Sequence, residues 1–151
     1  EHIPDWPSVF HSISLSANDN AVVYLKHRPF FSFLGTHRYA STSIPWGHVL
    51  LCDEEYRRYV REFHLERYDA MTEFFFSSLT RNSVGDMLVM AAAEGFYPLG
   101  LTIEPPRYID EVQRFLKHIP SFFSIQRHLY PTTSVEEIFS YQYHIFLKKA
   151  L

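Results

Sequence analysis

Cysteine is nearly absent from this chain. Among 151 residues only Cys52 is present, which excludes an internal disulfide framework and a cysteine-rich zinc site. Glycine is scarce too. Five glycines stand singly, so there is no glycine-rich loop to cradle a phosphate. No apolar run approaches the roughly 18–20 residues that span a bilayer. Positive charge is not in excess: 14 Lys+Arg oppose 17 Asp+Glu, giving a net charge of -3 and a pI near 6.3. Without a basic run to follow a phosphate backbone, nucleic acid is a poor default partner. Catalytic spacings are missing as well. There is no His-x-x-x-His pair, no H-E-x-x-H and no G-x-S-x-G. The N-terminus lacks the order of a signal peptide, and it begins at Glu1, as a processed chain or a fragment would.

What is present is apolar and aromatic. Hydrophobic residues make up 46% of the chain and aromatic residues 17%, with 14 Phe and 10 Tyr. The length and apolar content suit a single domain, 1–151, with its own core. A core of this size cannot easily hide every ring, and exposed rings anchor protein interfaces.

The first 50 residues read as mixed strand and loop. "SVFHSISLS" sets Val9, His11, Ile13 and Leu15 in alternation, the period of a strand. "ANDN" is a turn, and "AVVYL" is a second, β-branched strand. "RPFFSFLGTHRYASTSIPWG" has no sustained period and reads as loop. Residues 51–151 read as helical. A helix capped by Asp53 runs through Tyr56, Tyr59, Val60 and Phe63 and is interrupted near "HLERYD". Ser83 and Asp86 open the next helix, and Gly95 closes it in the left-handed position. "PPRYIDEVQRFLKHIP" is a further helix. "SVEEIFSYQYHIFLKKAL" starts with a capping box, Ser134 with Glu137, and reads as a helix to the last residue. Its lysines suit the C-terminal end of the dipole, and the lack of a stop signal reads as a chain that continues. The expected class is α+β, predominantly α-helical with a small N-terminal β element.

"EGFYPLG" reads as a helix stop and an aromatic-proline turn, built by Gly95, Tyr97, Pro98 and Gly100. The candidate partner surface lies in the loop before it. Phe30, Phe31, Phe33, His37, Arg38, Tyr39 and Trp46 put aromatic and cationic groups in a segment of little regular structure, where recognition is often carried. No cofactor or metal is expected and no catalytic set is visible. Two competing readings stay open. One is a small ligand-binding or metal-binding domain or enzyme, which needs two or more of His37, His48, His64, His118, His128 and His144 to converge. The other is a cellular adaptor-type interaction module.

Several segments in order resemble the non-structural protein NSs of phleboviruses and related bunyaviruses. "AAAEGFYPLGLTIEPP" is similar to the family's apolar helix and W-P-x-G turn: Pro98 and Gly100 match, and Tyr97 stands in place of the tryptophan. "VVYLKHRP" and "FSFLGTHRY" resemble its N-terminal segments, and "VEEIFSYQYHIFLKKAL" its following helix. The resemblance implies a virulence factor without enzymatic activity. It would act in the host cytoplasm or nucleus by binding host signalling, transcription or translation-control proteins, with room for self-association.

Overall fold

The computed structural model describes residues 2–33, 35, 37–106 and 108–150, with the side chains of Arg38 and Tyr39 outside that description. The protein is a mixed α+β chain, mostly helical, with a three-stranded antiparallel sheet in the order β1–β3–β2. The strands are β1 (Val22–His27), β2 (Phe96–Glu104) and β3 (Gln142–Lys149). The β element is therefore not N-terminal: each strand comes from a different part of the chain, and the one nearest the C-terminus is central.

The first segment corrects an expectation. Trp6–Ser16 is a helix, α1, not a strand. The Asp5 carboxylate accepts the Ser8 N–H at 3.1 Å, and proline sits in the first turn, where its missing N–H costs nothing. Trp6 and Phe10, one helical turn apart, are buried, while Leu15, which the alternation would have placed in the core, is exposed. Ser12 and Ser16 donate to the carbonyls four residues back, which accommodates serine inside a helix.

β1 forms where expected, after a turn with Asn20 in the left-handed region. The described residues of 28–52 follow as a loop with two short helices, α2 (His37–Ala40) and α3 (Gly47–Leu50). Gly35 is required inside it, because a Cβ there would lie 1.8 Å from the Phe30 carbonyl oxygen. Then come α4 (Asp53–Phe63), a 3-10 turn at Leu65–Arg67, α5 (Tyr68–Ser77) and α6 (Val84–Ala93). The break falls within "HLERYD". The cap position of α4 is Cys52, with Asp53 the first helical residue, and Glu55 accepts the Cys52 N–H at 2.9 Å. Ser83 and Asp86 do form a reciprocal box at the start of α6.

Gly95 closes α6 at φ 81°. The chain then enters β2, so Tyr97, Pro98 and Gly100 belong to a strand and not to a turn. Proline is tolerated because β2 is an edge strand with a register shift between Pro98 and Gly100. α7 (Ile109–His118) and α8 (Phe122–Leu129) follow.

The last segment is the second correction. The Ser134–Glu137 box is real, but α9 (Val135–Phe139) ends after one turn. Beyond it, Tyr143, Ile145 and Leu147 are buried while His144, Phe146 and Lys148 lie on the opposite face. That is the period of a strand. Lys149 does complement a helix C-terminus, but that of α1: its Nζ donates to the carbonyls of Ser14 and Ala17 at 2.6 and 2.9 Å.

Two apolar clusters result. One is helical and aromatic, around Phe30, Phe31, Trp46, Tyr56, Phe75 and Phe122. Its tightest contact is the Tyr56–Phe75 stack, with centroids 3.7 Å apart. The other packs α1 and α6 on one face of the sheet, through Trp6, Phe10, Met87, Phe96, Ile145 and Leu147.

Candidate functional site

Three of the seven expected partner residues lie in the core instead. Phe30, Phe31 and Trp46 are each 1% exposed. Trp46 donates from Nε1 to the Ile138 carbonyl at 3.3 Å and contacts Phe33, Phe115 and Phe122. Phe33 is partly buried between Trp46 and Tyr108. His37 is partly buried and stacks on His2 at 5.2 Å. Arg38 and Tyr39 carry side chains outside the described residues. The physical reason is the aromatic surplus itself: a helical cluster with few long aliphatics recruits rings from a loop to fill it.

The six candidate histidines form no ligand set among the described residues. His48 is wholly buried, with Nε2 2.8 Å from the Phe30 carbonyl and 3.1 Å from that of Ser32. His64 caps the end of α4, and His118 and His128 lie in the last turns of α7 and α8. Among the described residues no three His, Cys, Asp or Glu side chains are grouped so that they could hold a metal ion.

The face of the sheet turned away from α1 and α6 gathers groups the sequence reading did not bring together. On β1, strand parity sends Val22, Tyr24 and Lys26 outward while Val23 and Leu25 pack on the second cluster. On β3 it sends out His144, Phe146 and Lys148. Tyr24 lies opposite Phe146, with ring centroids 5.0 Å apart, and stacks on His144 at 5.9 Å. The Tyr24 hydroxyl is 2.6 Å from His144 Nδ1, and His144 Nε2 is 2.7 Å from Glu104 Oε1.

The chemistry of these partners sets the tautomer. A carboxylate only accepts, so His144 Nε2 carries the proton. Nδ1 then accepts from the tyrosine. Gln142 Nε2 also donates to Glu104 Oε1, at 3.0 Å. Tyrosine, histidine and acid stand in the order of nucleophile, base and orienting group. They lie across an open sheet, however, with Tyr24 half exposed. The chain of bonds fixes the rings. It joins all three strands and holds an aromatic patch in place, with Lys26 and Lys148 at its sides.

The sequence signal for this patch was slight. Polar and apolar residues alternate in "QYHIFLKK" only from Gln142 to Ile145, and "VVYLK" is apolar or aromatic up to its lysine. Nothing local pairs Tyr24 with a residue 120 positions away. Among the described residues no helix is long and apolar enough to cross a membrane. No family model matches the chain, and no curated protein or solved structure matches it.

Proposed function

We propose that the chain is a protein-binding antagonist of the host innate response, as its resemblance to NSs proteins implies, and that it binds through the outer face of its sheet. The observation that carries the surface is the Tyr24–Phe146 pair. Both rings are exposed, at 50% and 40%, yet bonds to His144 and Glu104 hold Tyr24 still. Rigid, exposed aromatics lose little entropy on binding, which is why they dominate contact energies. Val22 extends the patch, and Lys26 and Lys148 flank it. The complementary partner is a host protein whose apolar patch is rimmed by carboxylates.

The test is affinity purification of the tagged chain from interferon-competent human cells, with an interferon-promoter reporter run in parallel. The wild type is expected to capture host signalling, transcription or translation-control proteins and to lower the reporter. Tyr24→Ser with Phe146→Ser is expected to lose both effects while its circular dichroism is unchanged. A folded double variant that still lowers the reporter fully would remove this face from the proposal. A wild type without effect on the reporter would remove the antagonist reading.

A further inference from the structure

β2 is an edge strand, and its outer edge has a defined hydrogen-bonding phase. The Lys149 N–H bonds the Ala21 carbonyl on the β1 side, and the Ala150 N–H bonds the Gly95 carbonyl on the β2 side. In an antiparallel ladder these directions alternate along the strand. Even-numbered residues of β3 therefore bond β2, and their register partners Gly100, Thr102 and Glu104 face inward to β3. Leu101 and Ile103 turn their N–H and C=O groups to the free edge. Pro98 is turned the same way, which accounts for a proline in this strand.

Such an edge takes an extended main chain, and a strand guards it with charge or a cover when it must stay empty. β1 carries Lys26. From Phe96 to Ile103, β2 carries no charged residue at all. Its apolar side chains are also uncovered: Leu99, Leu101 and Ile103 are 55%, 41% and 38% exposed. Beside Leu101 and Ile103 lies a groove of about 270 Å³, closed below by Tyr143 and Val84 and rimmed by Thr132, Glu136 and Glu137. Glu137 is already engaged by the backbone N–H groups of Val84 and Ser134. Glu136 is exposed at the mouth.

We propose that the free edge of β2 accepts an extended segment of a partner protein as a fourth strand. Apolar residues at alternating positions of that segment enter the groove, and a lysine or arginine among them meets Glu136. A second copy of this chain fits less well, because β2 contains no basic residue and would bring Glu104 to an acidic rim. This mode of contact stands whether or not the partner belongs to the interferon response, and it uses a different surface from the Tyr24–Phe146 face.

The experiment is selection of a phage-displayed library of random peptides on the immobilised chain, followed by synthesis of the enriched peptides. Enriched peptides are expected to share alternating apolar residues and at least one basic residue. N-methylation of alternate amides along one edge of the peptide is expected to weaken binding by about tenfold or more, and along the other edge to leave it unchanged. Leu101→Pro removes an outward N–H, as Pro98 already does, and is expected to abolish binding with the circular dichroism retained. Should that variant unfold, the methylated peptides decide alone. Tyr24→Ser with Phe146→Ser is expected to bind the peptides normally, which separates this site from the outer face. Binding indifferent to methylation, or no alternating consensus, would overturn the proposal. So would sedimentation of the chain as a dimer that Leu101→Pro dissolves, since a second copy would then hold the edge.

Discussion

His48 shows what a single buried residue commits the protein to. Its Nε2 faces two carbonyl oxygens, so it carries a proton and donates, and the ring is neutral. Burial pulls its pKa down to about 4; the two carbonyls oppose this, and the nearby Arg81 charge adds to it. His27, buried beside Trp6, is pulled down to about 3 for the same first reason. Both values lie below the ordinary histidine value, so between that value and the folded one the unfolded chain binds more protons. Stability is full above about pH 6.5 and drains as pH falls towards 4 and then 3. The His48 share of that loss is on the order of 3 kcal/mol. Urea unfolding at a series of pH values will show the decline. His48→Gln, which keeps a donor but cannot titrate, is expected to be less stable at neutral pH and to have a flatter pH profile. A profile as steep as the wild type's would acquit His48.

At the scale of elements, Glu137 holds two helix starts with one carboxylate. Oε1 accepts the Val84 N–H at 2.7 Å at the head of α6, and Oε2 accepts the Ser134 N–H at 3.3 Å at the head of α9. Burial raises its pKa against the pull of those two bonds. Glu137→Gln keeps the shape but turns one acceptor into a donor facing an N–H. The expected cost is about 1–3 kcal/mol in urea unfolding, with faster hydrogen exchange in the first turn of α6. An unchanged midpoint would mean that the cap is redundant. Glu137 was legible in advance as the far end of a capping box, because a box is written within four residues. Its reach to Val84 was not, being 53 residues away. The same distinction separates the elements that were legible from those that were not. β1, the break after α4 and the stop at Gly95 follow from local chemistry. α1 and β3 do not. "SVFHSISLS" fits both periods, and burial of Trp6 and Phe10 decides for the helix. "SYQYHIFLKK" fits both as well, and pairing with β1 and β2 decides for the strand. The outer sheet face was not legible for that reason: with β3 read as a helix, Tyr24, Glu104 and His144 had no surface in common.

At the scale of the molecule, rings divide by location. Phe31 sits in the helical cluster at 1% exposure, edge-on to Phe30 and Tyr130, whereas Tyr24 lies in the open. Phe31→Ala leaves a cavity and is expected to cost about 3–5 kcal/mol, a large part of the roughly 5–15 kcal/mol that holds a domain folded. Tyr24→Ser is expected to leave the melting temperature within a few degrees of the wild type. Thermal melts of the two variants side by side are the check, and similar losses in both would mean that the outer face contributes to the fold as much as the core does. The placement of β3 between its two neighbours also has a meaning for how the chain is made. A ribosome delivers β1 and β2 long before the strand that joins them, and Tyr24 waits 120 residues for His144. Long-range pairings of this kind form slowly. Until residue 149 has left the exit tunnel, both outer strands lack their central partner, in the state most open to aggregation. The yield of soluble protein therefore depends on translation speed and chaperone supply as well as on native stability.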